Sequence, residues 1–163
     1  MTQDFARRCR GFTFIELAVT AAIVALLATL VVPMAELTVK RNQEHELRLA
    51  LREIRSGLDA YKRAVDEGRV ASEPGKSGYP PTLNALVDGV PDQKSPDHST
   101  KIYFLRHVPR DPTSTDTAKT NDETWGKRSY ASPPDAPEEG DDVFDVYSLS
   151  QGTGINGISY KDW

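Results

Sequence analysis

The feature that most constrains this chain is an apolar run from Phe12 to Val32. Of its 21 residues, all are apolar except Thr13, Glu16, Thr20 and Thr29. A helix rises about 1.5 Å per residue, so the run would span about 31 Å, the thickness of a bilayer's hydrocarbon core. The mean hydropathy of the whole chain is only −0.50. The sequence therefore predicts a membrane-spanning helix followed by a polar domain.

Basic residues stand immediately before the apolar run, at Arg7, Arg8 and Arg10. The positive-inside tendency places them in the cytoplasm, although Lys40 and Arg41 on the far side weaken this argument. A single anchoring helix is the simplest interpretation. A cleaved secretory signal peptide is the other, but the run is long for one and no good small-x-small site follows it.

Neither interpretation explains Glu16. A carboxylate inside a membrane span costs about 2.5–3.5 kcal/mol on insertion scales, and it usually marks a partner. A cut between Gly11 and Phe12 would create an α-amino group, which is largely protonated at neutral pH. This amine would lie one helical turn from the chain's own Glu16, and a neighbouring chain's amine would reach the same carboxylate if the two helices were staggered.

The stretch "RGFTFIELAV" resembles the class III signal of type IV pilins and type II secretion pseudopilins. The resemblance implies that a prepilin peptidase cuts after Gly11 and methylates the amine of Phe12. It also implies that Glu16 pairs with the Phe12 amine of a neighbour during assembly. Phe14 and Ala25 depart from the leucine and glycine that are common in that family.

Beyond the apolar run, Pro33 cannot donate a hydrogen bond to the helix and predicts a kink. An apolar stripe with helical spacing follows, and Gly68 is a plausible stop. The stripe consists of Leu47, Leu51, Ile54, Leu58, Tyr61 and Val65. A coiled-coil dimer could use this stripe, but the repeat is shorter than three heptads, so packing on the chain's own core is favoured. We therefore expect one long helix over residues 12–67, with residues 12–32 in the membrane or a filament core.

The remainder, residues 68–163, is rich in glycine, proline and polar residues. Tyr79–Val87 predicts a short helix, and Val143–Ser150 is the best strand candidate because it is rich in Val, Phe and Tyr. Residues 113–124 contain no large apolar side chain and predict an exposed insertion. A long helix with three or four short strands is an α+β arrangement in which a small antiparallel sheet covers the second half of the helix. The resemblance implies the same type IV pilin-like fold.

Three C-terminal segments are similar to the major pseudopilin of type II secretion systems, the G subunit. They are Tyr79-Pro80 with Thr82 and Leu86, Pro109-Arg110-Asp111-Pro112 with Trp125-Gly126 and Tyr130, and Asp145-Val146-Tyr147-Ser148-Leu149. Two features depart from that pattern. The insertion 113–124 separates Asp-Pro from Trp-Gly, which normally adjoin, and a change of loop length costs little closure entropy.

The second departure concerns calcium, which family members bind through aspartates after the "YSL" segment. Calcium takes six to eight oxygen ligands, usually including carboxylates. Between Ser150 and Lys161 this chain has no carboxylate. Leu149, Asn156 and Asp162 are therefore only weak calcium candidates, and the glycine-rich loop is expected to fold through its own turns.

Other chemistry finds little support in the sequence. The net charge of −4 argues against nucleic acid as the main ligand. Cys9 is the single cysteine and would leave with a leader of residues 1–11, whereas many type IV pilins carry a C-terminal disulfide. No triad, phosphate loop or dinucleotide motif is visible, so we expect no catalytic residues and no enzyme activity.

The resemblance implies a structural subunit of a helical, homo-oligomeric filament that drives protein export. Its partners would be the prepilin peptidase, an inner-membrane assembly platform, a cytoplasmic ATPase and minor pseudopilins. The precursor would lie in the inner membrane, with its N-terminus cytoplasmic and residues 68–163 forming a periplasmic domain. Two alternatives stay open at this point: a type IV pilin for adhesion, motility or DNA uptake, and a membrane-anchored enzyme or binding module.

Overall fold

The computed structural model describes residues 11–96 and 100–163, apart from the side chains of residues 30–33. The helices and strands are α1 (Phe14–Asp66), α2 (Ala85–Asp88), β1 (Val90–Pro91), β2 (Lys101–Ile102), β3 (Trp125–Arg128) and β4 (Asp145–Ser148). The chain divides into two compact units, of which the first ends at Lys40 and the second covers Arg41–Trp163. The α+β class with a long N-terminal helix is confirmed.

The first unit contains the apolar part of α1. Its most apolar 18-residue window has a mean hydropathy of 2.5, and none of that window is buried within the protein. By length and composition this helix can cross a membrane, although a signal sequence near an N-terminus can have the same length and composition. The predicted kink at Pro33 falls on residues 30–33, whose side chains lie outside the described part, and it stays a prediction.

Helix α1 ends in a glycine cap. Gly68 has a positive φ of 69°, which glycine adopts without a Cβ penalty. Its N–H donates to the carbonyl of Val65 at 2.9 Å, and the N–H of Arg69 donates to that of Ala64 at 2.8 Å. This pair of bonds is a Schellman motif, which satisfies carbonyls that the helix end would otherwise leave free.

The core of the second unit forms around the predicted apolar stripe. Five of the six stripe residues are buried, and Val65 is partly buried against them. From the rest of the unit, the core receives Val70, Leu83, Leu86, Leu105, Val108, Trp125, Val143, Val146 and Tyr160. Packing of the stripe on its own chain is therefore the correct interpretation, and it positions the loops described below.

The strands form two separate antiparallel pairs rather than one sheet. β1 pairs with β2 over two residues each, and Pro91 limits that ladder because it has no N–H to donate. β3 pairs with β4 with Trp125 opposite Ser148. β4 is shorter than the predicted Val143–Ser150 because the N–H of Val143 donates outside the ladder, to the carbonyl of Pro80 at 2.8 Å.

Gly126 lies in β3 directly opposite Tyr147 in β4. A Cβ atom built on Gly126 would lie within 3 Å of three atoms of the tyrosine ring. Real Cβ atoms do not approach other atoms so closely, so the ring occupies the space that any side chain at position 126 would need. Within the Trp-Gly pair of β3, Trp125 thus supplies a buried aromatic side chain, and position 126 has no room for any side chain.

Candidate functional site

The predicted cleavage site lies just before α1. Gly11, Phe12 and Thr13 are exposed and non-helical, and the side chain of Phe12 is 74% exposed. The peptide bond between Gly11 and Phe12 is therefore outside the hydrogen-bonded helix. An enzyme acting on this bond would not have to unwind the helix to reach it.

Glu16 and Thr13 form a capping box at the start of α1. The N–H of Glu16 donates to Thr13 Oγ1 at 3.3 Å, and the N–H of Thr13 donates to Glu16 Oε2 at 3.5 Å. The two side chains thus satisfy backbone donors that the first helical turn leaves without partners. Sequence reasoning missed this role, although the Thr-x-x-Glu spacing signals it.

The capping box uses one oxygen of the Glu16 carboxylate. Within residues 11–96 and 100–163, the other oxygen has no hydrogen-bond partner, and the residue is exposed. A carboxylate at this position also faces the positive end of the helix dipole, which stabilises negative charge there. The geometry therefore leaves Glu16 capable of accepting a hydrogen bond from a cationic group outside the helix.

The three weak calcium candidates lie in different settings. Leu149 follows β4, Asn156 Oδ1 accepts a hydrogen bond from the N–H of Ile158 at 3.1 Å, and Asp162 is exposed in a short 3-10 turn. Among the residues that the structure describes, no group of three or more His, Cys, Asp or Glu side chains is placed to hold a metal ion.

The glycine-rich loop instead contacts a buried carboxylate of α1. Glu44 Oε1 accepts hydrogen bonds from the N–H of Ile155 at 2.7 Å and from the hydroxyl of Tyr160 at 3.2 Å. Burial, with a further contribution from the Glu44 charge, raises the pKa of Tyr160, so its hydroxyl keeps the proton that it donates. The other oxygen, Glu44 Oε2, lies 4.0 Å from Arg48 Nη2, one helical turn along α1.

A second buried carboxylate, Asp111, fixes the insertion. Asp111 Oδ1 accepts from the N–H and the hydroxyl of Thr113 at 2.7 and 2.6 Å, and Oδ2 accepts from the hydroxyl of Ser148 at 2.6 Å. The N–H of Asp111 donates to Thr124 Oγ1 at 3.2 Å. One residue thus binds both ends of the insertion and strand β4.

The body of the insertion folds over Arg110. Its guanidinium donates to the carbonyl oxygen of Lys119 at 2.8 Å and to that of Asp116. Asn121 also donates its side-chain amide to the carbonyl of Val108 at 2.8 Å. The exposure predicted for residues 113–124 holds for residues 115–121 but not for the ends of the segment, since Thr124 is buried and Thr113, Ser114 and Asp122 are half-buried. The bonds described here give the segment a defined path.

The fold and the N-terminal residues define the class of protein. Residues 6–32 match the family model described as the prokaryotic N-terminal methylation motif. The chain is 31% identical over 141 residues to type II secretion system core protein G of Pectobacterium carotovorum subsp. carotovorum, covering 83% of each chain. It is 28% identical over 155 residues to the core protein G of Dickeya chrysanthemi, covering 93% of this chain and 94% of that one.

A third relative is the core protein G of Klebsiella pneumoniae, which is 28% identical over 142 residues. The match covers 84% of this chain and 94% of the relative. The chain therefore belongs to the family of type II secretion system core protein G, the major pseudopilins. No solved structure matches it.

Proposed function

We propose that this chain is the structural subunit of a helical pseudopilus that drives protein export through a type II secretion system. The observation that carries the proposal is the apolar N-terminal part of α1. None of its most apolar 18-residue window is buried within the protein, and the exposed Gly11–Phe12 bond and Glu16 lie at its start. Exposed apolar surface of this extent is costly in water. A membrane before assembly and copies of the same helix after assembly would both cover it.

Maturation is the first step of the proposal. A prepilin peptidase cuts after Gly11 and methylates the new amine of Phe12. The exposed, non-helical backbone at this bond supports the assignment. The new positive charge would stand at the positive end of the helix dipole, where a cation is unfavourable. Glu16 lies one turn away and offsets that cost.

Assembly is the second step. In a filament core, an unpaired carboxylate would keep the cost of burial in an apolar medium. The Phe12 amine of a neighbouring chain pairs with Glu16 and removes this cost only when the two helices have the correct stagger. Glu16 thereby sets the register in which subunits add, while the apolar side chains around it supply the contact area.

The proposed role as a pseudopilus subunit also implies a location and a set of partners. The precursor is an inner-membrane protein with its N-terminus in the cytoplasm and the second unit in the periplasm. An inner-membrane assembly platform, a cytoplasmic ATPase and minor pseudopilins act with it. The subunit works by packing and carries no catalysis of its own.

The decisive experiment is the intact mass and N-terminal sequence of the protein from membranes of its own host. We expect a chain that begins with N-methylated Phe12. A chain that still begins with Met1 would contradict the proposal, because Glu16 would then have no Phe12 amine to pair with. A chain cut after Val32 would contradict it too, because Glu16 would be lost with the cleaved segment. A Gly11→Val variant should accumulate uncut.

A further inference from the structure

We propose that the glycine-rich loop, residues 149–163, is fastened to α1 by Glu44 and Arg55 in a latch that takes no calcium ion. The loop has the position after "YSL" at which family members are expected to hold calcium through aspartates. In this chain the anionic group comes from the helix, and the loop supplies hydrogen-bond donors. This inference concerns the second unit alone and does not depend on the proposed role in export.

The oxygens of the loop do not fit a calcium ion. Its one side-chain carboxylate is that of Asp162, and calcium takes six to eight oxygens that usually include several carboxylates. The carbonyl oxygens of Gly152, Gly154 and Ile158 accept hydrogen bonds from N–H groups within the loop at 3.1, 2.9 and 2.8 Å. Asn156 Oδ1 is engaged in the same way. Four oxygens of the loop are therefore already used to fold the loop itself.

The loop places donors where it meets the helix. The N–H of Ile155 and the hydroxyl of Tyr160 converge on Glu44 Oε1, and Glu44 is only 5% exposed. A carboxylate buried to this degree needs such donors, since a buried charge without partners is strongly unfavourable. The contact therefore stabilises both the loop and the helix residue.

Arg55 fastens the other end of the loop. Its Nη2 donates to the main-chain oxygen of Trp163 at 2.9 Å and to that of Val146 at 3.1 Å, while its Nε donates to Asp145 at 2.8 Å. The guanidinium of Arg48 lies 4.3 Å from the centre of the Trp163 ring, a distance suited to a cation–π contact. The helix thus binds the loop through an anion at one end and cations at the other.

The cleft beside Trp163 is lined by equal numbers of acidic and basic side chains. Its volume is about 320 Å³. Its lining includes three carboxylates and three cationic side chains, which are Asp135, Asp145, Asp162, Arg55, Arg128 and Lys161. A divalent cation entering this cleft would meet fixed positive charges and would compete with Arg55 for Asp145. The cations already perform the bridging that a metal ion would perform.

The test uses the full chain in detergent micelles. Thermal unfolding is followed by near-UV circular dichroism in excess EGTA and in millimolar CaCl2. We expect the same midpoint in both, within measurement error. A calcium site filled at a hundredfold excess over its Kd would raise the midpoint by roughly 10 °C. Such a rise would overturn the proposal without any variant being needed.

Amide hydrogen exchange tests the latch directly. In Glu44→Ala the N–H of Ile155 loses its acceptor, so we expect its exchange to be roughly tenfold faster or more. Glu44→Gln keeps the volume but loses the charge and is a weaker acceptor, so exchange of the Ile155 N–H should also be faster there, by a smaller factor. This variant decides the question if the alanine variant does not fold. Glu46→Ala removes an exposed glutamate of the same helix and should leave the loop unchanged. Unchanged Ile155 exchange in Glu44→Ala, or in Glu44→Gln if the alanine variant does not fold, would refute the latch. Faster exchange of the wild type in EGTA would refute it as well.

Discussion

Thr13 and Glu16 each accept a hydrogen bond from the other's backbone N–H, at 3.3 and 3.5 Å. The residue proposed to pair with a neighbouring chain is therefore also part of its own helix cap. Two physical roles, capping and charge, coincide in one carboxylate. Substitutions at the two positions separate them.

Glu16→Gln removes the charge but keeps an oxygen that can serve a capping box. If assembly depends on the charge, Glu16→Gln should abolish cross-linked or sedimentable filaments while the precursor is still cut. Thr13→Ala removes about 1 kcal/mol of capping but leaves the carboxylate, and filaments should persist. Filament yield and precursor processing in the same membranes are the measurements. Equal loss in both variants would instead assign the effect to the cap.

Asp111 is 1% exposed and accepts three hydrogen bonds. Asp111→Ala leaves the Thr113 N–H and two hydroxyl groups without their acceptor in a dry site. We expect the free energy of unfolding to fall by roughly 3 kcal/mol, measured by urea denaturation. Asp135→Ala removes an exposed carboxylate and should change it by less than about 0.5 kcal/mol. Equal effects at the two positions would contradict the importance of the buried network.

Gly126→Ala forces a methyl group into the space of the Tyr147 ring. Overpacking of this kind typically costs about 1–3 kcal/mol, so we expect the thermal midpoint to fall. Tyr147→Ala removes the obstacle, and the double variant should be more stable than the sum of the two single effects predicts. Strictly additive effects would show that the close approach is not the cause.

Asp142 should make stability fall in acid. Burial opposes its ionisation, but hydrogen bonds from the hydroxyls of Ser129 and Ser77 and from the N–H of Tyr130 outweigh it and lower the pKa from the ordinary 3.8. Because the folded chain binds this proton less readily than the unfolded chain, the contribution is present above pH 3.8 and is lost as the pH falls through the folded pKa.

Asp142→Asn should therefore lower the free energy of unfolding more at pH 7 than near pH 2. Between these limits, the free energy of unfolding of the variant should change less with pH than that of the wild type. Urea unfolding at a series of pH values measures this difference. Asp135→Asn, at an exposed position, should keep the slope of the wild type. An unchanged slope in Asp142→Asn would show that the acid dependence arises elsewhere.

The sequence predicted best what depends on neighbouring residues. The apolar stripe of α1, the stop at Gly68 and the α+β class are visible in local spacing, and the structure agrees with them. The contact of Glu44 with Ile155 joins residues 111 positions apart, and that of Asp111 with Ser148 joins residues 37 apart. No local pattern announces such pairs, because the fold of the loops decides which donors meet which acceptors.

Strand pairing was harder for the same reason. The β-rich composition around Val143 predicted a strand but not where its ladder would end, which depends on the carbonyl of Pro80 from a distant loop. The capping box was a different case. Its Thr-x-x-Glu signal is local, and the spacing of Thr13 and Glu16 alone is sufficient to predict it.

The arrangement around Asp111 has a consequence for how freely the insertion can vary in length. Thr113 and Thr124 both bind this one residue, so the insertion begins and ends at the same point of the domain. Closure entropy changes slowly with loop length, so segments of other lengths could join these two points while the core stays fixed. Thr113 and Thr124 thus act as fixed anchors, and the residues between them can change in length and surface chemistry without altering the core.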